Sequence, residues 1–178
     1  MSYRAGMAHD VVMVNGLPGS GKSTLAPRLA VALGGAFLSK DRVKEALADA
    51  VVTEVPGLGP LAMDTVWMLT AAMSGLVVLD SWWFRPRDLD HARAGLARSG
   101  TPGAVEIWCD VPAEVARARY VARRRHTVHA DTERLATQWD AWASGAEPLG
   151  LGPVIRADTA RPVDVAVLAD RVKAVLWS

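Results

Sequence analysis

Short apolar runs alternate with helical patterns along this sequence. The residue runs 11–14, 36–38, 76–79, 105–109 and 154–155 predict five strands. Apolar residues recur at helical spacing in most of the segments between them, which is typical of helices that cover a sheet. Strands that alternate with helices indicate βαβ units, so we expect an α/β fold whose parallel sheet carries helices on both faces.

The predicted helices follow the strands at short distances. They span residues 22–33, 42–50, 64–74, 86–98, 112–125, 131–143 and 162–176. Asp64 is the expected N-cap of the third helix, and the segment 53–60, which is rich in proline and glycine, predicts a loop. The pattern contains no internal repeat or linker, so we expect a single domain over residues 1–178.

The turn after the first strand carries a phosphate-binding motif. It fits the pattern G-x-x-x-x-G-K-[ST] in full and lies between a predicted strand and a predicted helix, the context that the motif requires. Glycines let the backbone wrap around phosphates, Lys22 reaches the terminal phosphates, and the Ser23 hydroxyl is placed to bind Mg²⁺. The predicted nucleotide-binding loop consists of Gly16, Leu17, Pro18, Gly19, Ser20, Gly21, Lys22, Ser23 and Thr24.

Two aspartates stand at the ends of predicted strands. Asp41 follows the second strand, and Asp80 ends the third. Ligands of parallel α/β sheets bind outside the carboxyl ends of the strands, so both carboxylates are expected near the phosphates. Asp41 is the predicted base that takes the proton of an attacking hydroxyl, with capping of the next helix as the alternative. Asp80 is the predicted Mg²⁺ ligand, and it is also the alternative base.

An arginine series lies toward the end of the fifth predicted helix. Arg119 and Arg123 are four positions apart, so a continuous helix would present both on one face. Guanidinium groups stack on bases and bind phosphate bidentately, which predicts a small lid over the nucleotide at about residues 120–135. The alternative is a solvated basic face near a helix C-terminus. The series consists of Arg117, Arg119, Arg123, Arg124 and Arg125.

Tryptophan is unusually frequent, with seven residues against two phenylalanines and two tyrosines. Trp82 and Trp83 follow Asp80 and are expected in the acceptor pocket, where Arg42 and Arg85 could also contact the substrate. The segment 51–63 is apolar and carries almost no cation, so we expect an uncharged, ring-bearing acceptor. The other tryptophans divide into weaker candidates for the same pocket, Trp67, Trp139 and Trp142, and expected core residues, Trp108 and Trp177.

The composition of the chain argues against nucleic acids and membranes as binding partners. The 178 residues carry a net charge of +1, which provides no global field that would attract nucleic acid or an anionic membrane. The single cysteine cannot form an internal disulfide, which suits a reducing compartment. No apolar run approaches the roughly 20 residues of a membrane span. We therefore expect a cytoplasmic protein without membrane contact.

Taken together, these residues resemble the small P-loop kinases of the nucleoside-monophosphate-kinase type. Within them, the chain is similar to the branch of chloramphenicol phosphotransferase-like, polynucleotide-kinase-like and zeta-toxin-like proteins. The resemblance covers nearly the whole chain, but only the loop at residues 16–24 is highly specific. It implies a three-layer P-loop NTPase fold with a five-stranded parallel sheet in the order 2-3-1-4-5. It also implies transfer of the γ-phosphate of ATP, with Mg²⁺, to a hydroxyl.

The resemblance further implies roles for individual residues. The segment 119–124 is similar to the lid-entry arginines of adenylate kinases, so Arg119 is expected on adenine, and Arg123 and Arg124 on phosphate. Arg123 would then be catalytic together with Lys22 and Asp41. Thr159, in a segment similar to the loop that flanks adenine, is an expected nucleotide contact.

Three functions remain open at this point. The leading hypothesis is an ATP-dependent kinase for a small hydroxyl-bearing molecule such as an antibiotic or another natural product. The second is a kinase for nucleosides or polynucleotide 5′-hydroxyls, although few basic residues outside the arginine series are available for a strand. The third is a regulatory nucleotide-binding ATPase without an acceptor. For each of them we expect a monomer or a homodimer.

Overall fold

Five parallel strands form one sheet in the computed structural model, which describes residues 10–177 except 52, 54, 102, 103, 124, 125 and 130. The strands are β1 (Val11–Asn15), β2 (Ala36–Ser39), β3 (Val77–Asp80), β4 (Ala104–Asp110) and β5 (Val154–Asp158). They are hydrogen-bonded in the order β2-β3-β1-β4-β5, which confirms the predicted topology.

Seven helices cover this sheet within the described ranges. They are α1 (Lys22–Leu33), α2 (Lys40–Ala50), α3 (Leu58–Ala72), α4 (Arg85–Arg98), α5 (Ala113–Ala122), α6 (Asp131–Gly145) and α7 (Val165–Leu176). A short 3₁₀ helix, Thr127–His129, lies between α5 and α6. None of the helices in this described part of the chain combines the length and the apolar character that crossing a membrane requires.

The central strand β1 is buried on both faces, which explains its continuous apolar run. Side chains alternate across a strand, so Val12 packs with α1 and α7 on one face, and Met13 packs with α3 and α4 on the other. Trp67 of α3 is only 1% exposed and contacts the second of these layers. The two apolar layers fix the sheet between the helices and leave its carboxyl edge free for a site.

Helix α3 begins earlier than predicted. It starts at Leu58, so Asp64 lies inside it rather than at its N-cap, and the loop prediction for 53–60 was wrong over its last residues. Pro60 is compatible with this start because the N–H groups of a first helical turn have no intrahelical partner. The sequence reading took proline and glycine as a loop signal, whereas here they accompany the start of a helix.

Helix α5 ends earlier than predicted. It stops at Ala122, and Arg123 has an extended backbone with φ −85° and ψ 143°. The prediction that Arg119 and Arg123 share one helix face was therefore wrong. Helices in proteins are stabilised largely by the apolar face that they bury, and the arginine-rich end of this segment offers none. Strand β5, by contrast, runs further than predicted and pairs with β4 as far as Asp158.

Candidate active site

The phosphate loop connects β1 to α1 and relies on glycine at two backbone positions. Gly19 has a φ of 85°, and a Cβ there would collide with the backbone carbonyl of Ala116 in α5. Gly21, with a φ of 93°, is the N-cap of α1 and supplies no side-chain acceptor to the first turn. The N–H groups of that turn therefore face a ligand site without an internal cap, which favours an anion.

Lys22 is buried beneath this loop and is only 5% exposed. Its Nζ donates a hydrogen bond to the carbonyl oxygen of Leu17 at 3.3 Å. Burial lowers the pKa of Lys22, the negative charges of Asp80 and Asp41 oppose that shift, and the positive charge of Arg123 adds to it. These effects show that four of the predicted site residues share one electrostatic environment.

Asp80 lies at the carboxyl end of β3, beside Ser39 of β2. Its Oδ2 accepts a hydrogen bond from the Ser39 hydroxyl at 3.4 Å, whereas Oδ1 is buried without a hydrogen-bond partner among the described residues. Burial raises the pKa of Asp80, while the charge of Lys22 and a hydrogen bond from Ser23 lower it. An unpaired carboxylate oxygen beside the Ser23 hydroxyl is a donor set that suits Mg²⁺.

The residues at this place fit Mg²⁺ as a partner of phosphate rather than as a cation held by protein alone. Among the described residues, no group of three or more His, Cys, Asp or Glu side chains forms a candidate metal site. Mg²⁺ in phosphate sites is commonly bound by one or two protein oxygens together with phosphate and water. Ser23 and Asp80 would supply those protein oxygens.

Asp41 occupies the first turn of α2, directly after β2. It is half-buried, and its charge acts on Lys22, Asp80 and Lys40. The neighbouring Arg42 is exposed and places its guanidinium 5.2 Å from the centre of the Phe37 ring. The start of α2 thus brings the predicted base to the phosphate side of the sheet and directs Arg42 elsewhere.

The arginines of the predicted lid differ in their contacts. Arg119 donates hydrogen bonds to the carbonyl oxygens of Thr159, at 2.9 Å, and Ala160, at 3.3 Å. Thr159 is buried, and its hydroxyl donates to the carbonyl oxygen of Asp110 at 3.1 Å. Arg119 therefore joins α5 to the loop after β5, where the adenine contact was predicted. Arg124 and Arg125 lie outside the described residues.

Arg123 has different neighbours, which are Tyr120 and the environment of Lys22. Its guanidinium carbon lies 4.6 Å from the centre of the Tyr120 ring, and its charge reaches Lys22. Tyr120 in turn stacks on Trp139 of α6, with the ring centres 6.0 Å apart. Aromatic packing thus positions this cation after α5 has ended.

A cavity of 390 Å³ adjoins the carboxyl end of β3, and we call it the tryptophan cavity. Trp82 and Trp83, the two predicted acceptor contacts, both line it, and the indole Nε1 of each is buried without a hydrogen-bond partner in the described part of the chain. Arg42 and Arg85 are not among its lining residues, and Arg85 pairs with Glu147 at 2.9 Å. The remaining lining residues are Lys40, Gly59, Pro60, Met63, Ser81, Arg87, Asp88, His91 and Arg134.

None of the other tryptophans lines this cavity. Trp139 and Trp142 form an apolar cluster with Leu17 of the phosphate loop and Tyr120 of α5. Trp108 is buried in β4, as expected. Trp177 is 62% exposed, so its assignment to the core was wrong. Its Nε1 donates a hydrogen bond to Asp10 at 3.3 Å.

The sequence reading missed a buried polar bracket that joins the phosphate loop to the tryptophan cavity. Glu106 in β4 is 2% exposed and accepts hydrogen bonds from the Asn15 amide at 2.9 Å and from the N–H groups of Leu149 and Gly150 at 3.0 Å each. Asn15 Oδ1 accepts from the N–H of Gly16 at 2.8 Å and of Trp83 at 3.0 Å. The available signal was a glutamate inside an apolar strand, because buried charges are normally paired or hydrogen-bonded.

The segment between α5 and α6 is attached to α2 by polar contacts that were also missed. Lys44 donates to the carbonyl oxygen of Val128 at 2.7 Å, and the buried His129 lies 2.7 Å from Glu45. His126 lies 3.0 Å from Asp49. Residues 126–129 of the predicted lid are therefore docked on the helix that carries Asp41.

The fold and this site define the class of protein. A five-stranded parallel sheet in the order 2-3-1-4-5, with a glycine-rich phosphate loop after the central strand, is the P-loop fold of small kinases. Residues 11–149 match the AAA domain family. The chain belongs to this family.

Two curated mycobacterial proteins are similar to most of this chain. An uncharacterized protein of Mycobacterium tuberculosis is 31% identical over a 174-residue alignment that covers 88% of this chain and 33% of the relative. An uncharacterized protein of Mycobacterium bovis matches equally well. The chain thus spans about a third of the length of the curated relatives that it matches.

Solved structures show the same fold at lower identity. A candidate kinase from Chloroflexus aurantiacus superimposes with a TM-score of 0.76 at 22% identity, covering 95% of this chain and 99% of that one. A shikimate kinase from Bacteroides thetaiotaomicron gives 0.61 at 16% identity, with coverages of 93% and 97%. A gluconokinase from Sinorhizobium meliloti gives 0.57 at 20% identity, with coverages of 95% and 91%.

Proposed function

We propose that this protein is a kinase that transfers the γ-phosphate of Mg-ATP to a hydroxyl group of a small molecule. The observation that carries the proposal is the position of Asp41. Its carboxylate lies in the electrostatic environment of Lys22 and Asp80 and stands next to Lys40, which lines the tryptophan cavity. A base between a phosphate loop and a cavity of this size is what transfer to a small alcohol requires.

The proposed reaction assigns a step to each of these positions. An acceptor in the tryptophan cavity presents its hydroxyl oxygen to the γ-phosphorus, and the new oxygen–phosphorus bond forms as the bond to the bridging oxygen breaks. Asp41 accepts the hydroxyl proton, and ADP is the leaving group. The products are ADP and the phosphate ester of the acceptor.

The phosphate side of the site would stabilise the charge that moves in this step. Lys22 and the first turn of α1 face the β- and γ-phosphates, and Arg123 adds a second cation. When bound through Ser23 and Asp80, Mg²⁺ supplies further charge neutralisation on the phosphate oxygens. Arg119 and Thr159 position the adenine side of the nucleotide.

The acceptor side supports a ring-bearing alcohol. Trp82 and Trp83 offer aromatic walls, and their unpartnered indole N–H groups are potential donors to an acceptor oxygen. The expectation of an uncharged acceptor rested on the apolar segment 51–63. Lys40, Arg87 and Arg134 reach the cavity from other segments and add positive charge to its wall.

The experiment is a screen with γ-labelled ATP against alcohols, sugars and their acids, aminoglycosides, phenicols, nucleosides and oligonucleotides. The wild-type protein is expected to label an organic product of low molecular mass. Asp41→Asn should reduce the transfer at least about 100-fold while nucleotide affinity is retained, because only the proton acceptor is lost. Asp170→Asn, an exposed aspartate of α7, is the matched control.

Each contrary result would support a specific alternative function or an alternative base. Labelling of oligonucleotide 5′-ends with a steep salt dependence would support the polynucleotide kinase. Release of labelled inorganic phosphate with no organic product would support the regulatory ATPase. Near-full transfer by a folded Asp41→Asn protein would remove Asp41 from the role of base and leave Asp80 as the alternative.

A further inference from the structure

The tryptophan cavity contains two cations that have no protein partner within the described part of the chain. Lys40 enters it from the first turn of α2, and Arg134 enters it from the N-terminal part of α6. Both residues are half-buried, and neither makes a hydrogen bond or an ion pair with a side chain that the structure describes. Positive side chains that are partly withdrawn from water without a hydrogen bond or an ion pair are costly, so their arrangement calls for an explanation.

Other arginines near the cavity, unlike Lys40 and Arg134, form ion pairs with acidic side chains. Arg87, which lines the same cavity, is held by Asp88 through two hydrogen bonds of 2.7 Å. Arg85 pairs with Glu147 at 2.9 Å, and Arg98 pairs with Asp64 at 2.9 Å. These arginines thus each form an ion pair, whereas Lys40 and Arg134 form none with the described residues.

The positive charges of Lys40 and Arg134 also repel each other. Burial lowers the pKa of Lys40, and the positive charges of Arg134 and Arg87 lower it further against the opposing charges of Asp41 and Asp88. An anion bound between Lys40 and Arg134 would remove this repulsion and satisfy donors of both side chains. The unpartnered Nε1 of Trp82, another lining residue, would provide an additional donor.

We propose that the acceptor is a small hydroxyl compound that also carries an oxyanion, and that Lys40 and Arg134 hold this group in the tryptophan cavity. The inference rests on the proposed kinase function and names the substrate class of that site. Lys40 and Asp41 are adjacent in the first turn of α2, so an oxyanion anchored on Lys40 keeps the molecule beside the base. A cavity of 390 Å³ accommodates a molecule of sugar-acid or sugar-phosphate size.

The sequence pattern did not reveal the pair of Lys40 and Arg134 because the two residues lie far apart along the chain. Lys40 stands at the start of α2, and Arg134 belongs to the helix after the predicted lid, 94 positions later (134 − 40). Residues 51–63, which dominated the sequence expectation, contribute Gly59, Pro60 and Met63 to the same cavity. The apolar wall and the cationic wall therefore belong to one site.

The first test measures anion binding without catalysis. The protein is saturated with Mg²⁺ and a non-hydrolysable ATP analogue, which fills the phosphate loop, and tryptophan fluorescence is recorded during titration with malonate, inorganic phosphate or glycerol. Malonate, phosphate or both should bind saturably, and the stronger of the two identifies a carboxylate or a phosphate as the oxyanion. Lys40→Met and Arg134→Met should each weaken this binding about 10-fold or more, because a charge-assisted hydrogen bond is lost. Glycerol should produce no saturable change.

The matched control is Arg28→Met, which removes an exposed arginine from α1. It should bind the anions like the wild type. Absence of saturable binding by either anion, or equal binding by the wild type and the two cavity variants, would overturn the inference.

The second test measures transfer to matched acceptors: a neutral sugar, the corresponding sugar acid and the corresponding sugar phosphate. Lys40→Met and Arg134→Met should raise the KM for the charged acceptor about 10-fold or more, and should change the KM for the neutral sugar and for ATP much less. Preference for the neutral sugar, with a KM that both variants leave unchanged, overturns the inference but keeps the kinase. Intact anion binding with no labelled product from any acceptor keeps the anion site and rejects the kinase.

Discussion

The phosphate loop and the tryptophan cavity are built from the chain in opposite ways. The loop uses consecutive residues 16–24 between one strand and one helix, whereas the cavity draws on α2, α3, α4, α6 and the segment after β3. Local geometry determines the loop, so its motif is readable in the sequence. The cavity forms only after distant elements have packed, so the sequence pattern does not reveal which side chains line it.

The largest effect is expected when the loop loses its cation. Lys22→Met should reduce phosphate transfer at least about 100-fold, because preorganised charge at the transferred phosphate is removed. The same change should raise the thermal unfolding midpoint of the nucleotide-free protein. Burial lowers the pKa of Lys22, so the charged amine is destabilising at any pH below that lowered pKa, and the cost fades as pH rises through it.

Labelled-ATP transfer and calorimetry in parallel check both halves of this prediction. Lys173→Met, a lysine of α7 that pairs with Asp170 at 3.6 Å, should leave transfer and midpoint near wild type. Substantial transfer by Lys22→Met would show that the loop does not depend on this cation.

The next effect concerns the polar bracket between the two regions. Glu106→Ala removes the acceptor of Asn15 and of two backbone N–H groups, and each buried donor left unsatisfied costs about 1–3 kcal/mol. Urea denaturation should therefore show a loss of stability of about 3 kcal/mol or more. Glu106→Gln should lose less, because its amide oxygen still accepts.

Loss of the polar bracket should also disturb the position of Trp83 in the cavity wall. Glu106→Gln should raise the acceptor KM more than the KM for ATP, because Asn15 holds the backbone of Trp83 in the cavity wall. Glu133→Ala, an exposed glutamate of α6, serves as the control for both measurements. Equal changes in the two KM values would indicate a merely structural role.

A smaller effect is expected at the contact between the predicted lid and α2. Lys44→Met removes the hydrogen bond to the Val128 carbonyl, and Glu45→Gln weakens the pairing with His129. Hydrogen exchange of residues 126–129 should accelerate about 5–10-fold in each variant, corresponding to a loss of about 1 kcal/mol. Exchange in β1 and β4 should remain unchanged, and acceleration there would signal global destabilisation instead.

The smallest effect is expected at Cys109, which lies under the phosphate loop. Burial raises the pKa of Cys109 to about 12, so iodoacetamide at pH 8 should leave the folded thiol unmodified and label it only after unfolding. Because the unfolded thiol ionises near 9, the wild type should lose stability relative to Cys109→Ala as pH rises from about 9 toward 12. Rapid labelling of the folded protein would mean that the loop opens.

The sheet order and the phosphate loop could be predicted because strand periodicity and the loop motif are local signals. The end of α5 could not, since the arginine pattern continues after the apolar contacts of the helix have ceased. The docking of His126 and His129 on α2 and the meeting of Lys40 with Arg134 depend on long-range packing. Glu106 was a detectable exception, because a charged residue in an apolar strand requires partners.

The walls of the tryptophan cavity also have an evolutionary consequence. Lys40, Arg87 and Arg134 line it without belonging to the apolar clusters that hold the sheet and helices together. Substitutions at these three positions therefore leave the packing of the apolar core in place. Gly19, against the carbonyl of Ala116, allows no comparable freedom. If the cavity holds the acceptor as proposed, selection can change the acceptor while the apolar core and the phosphate loop stay as they are.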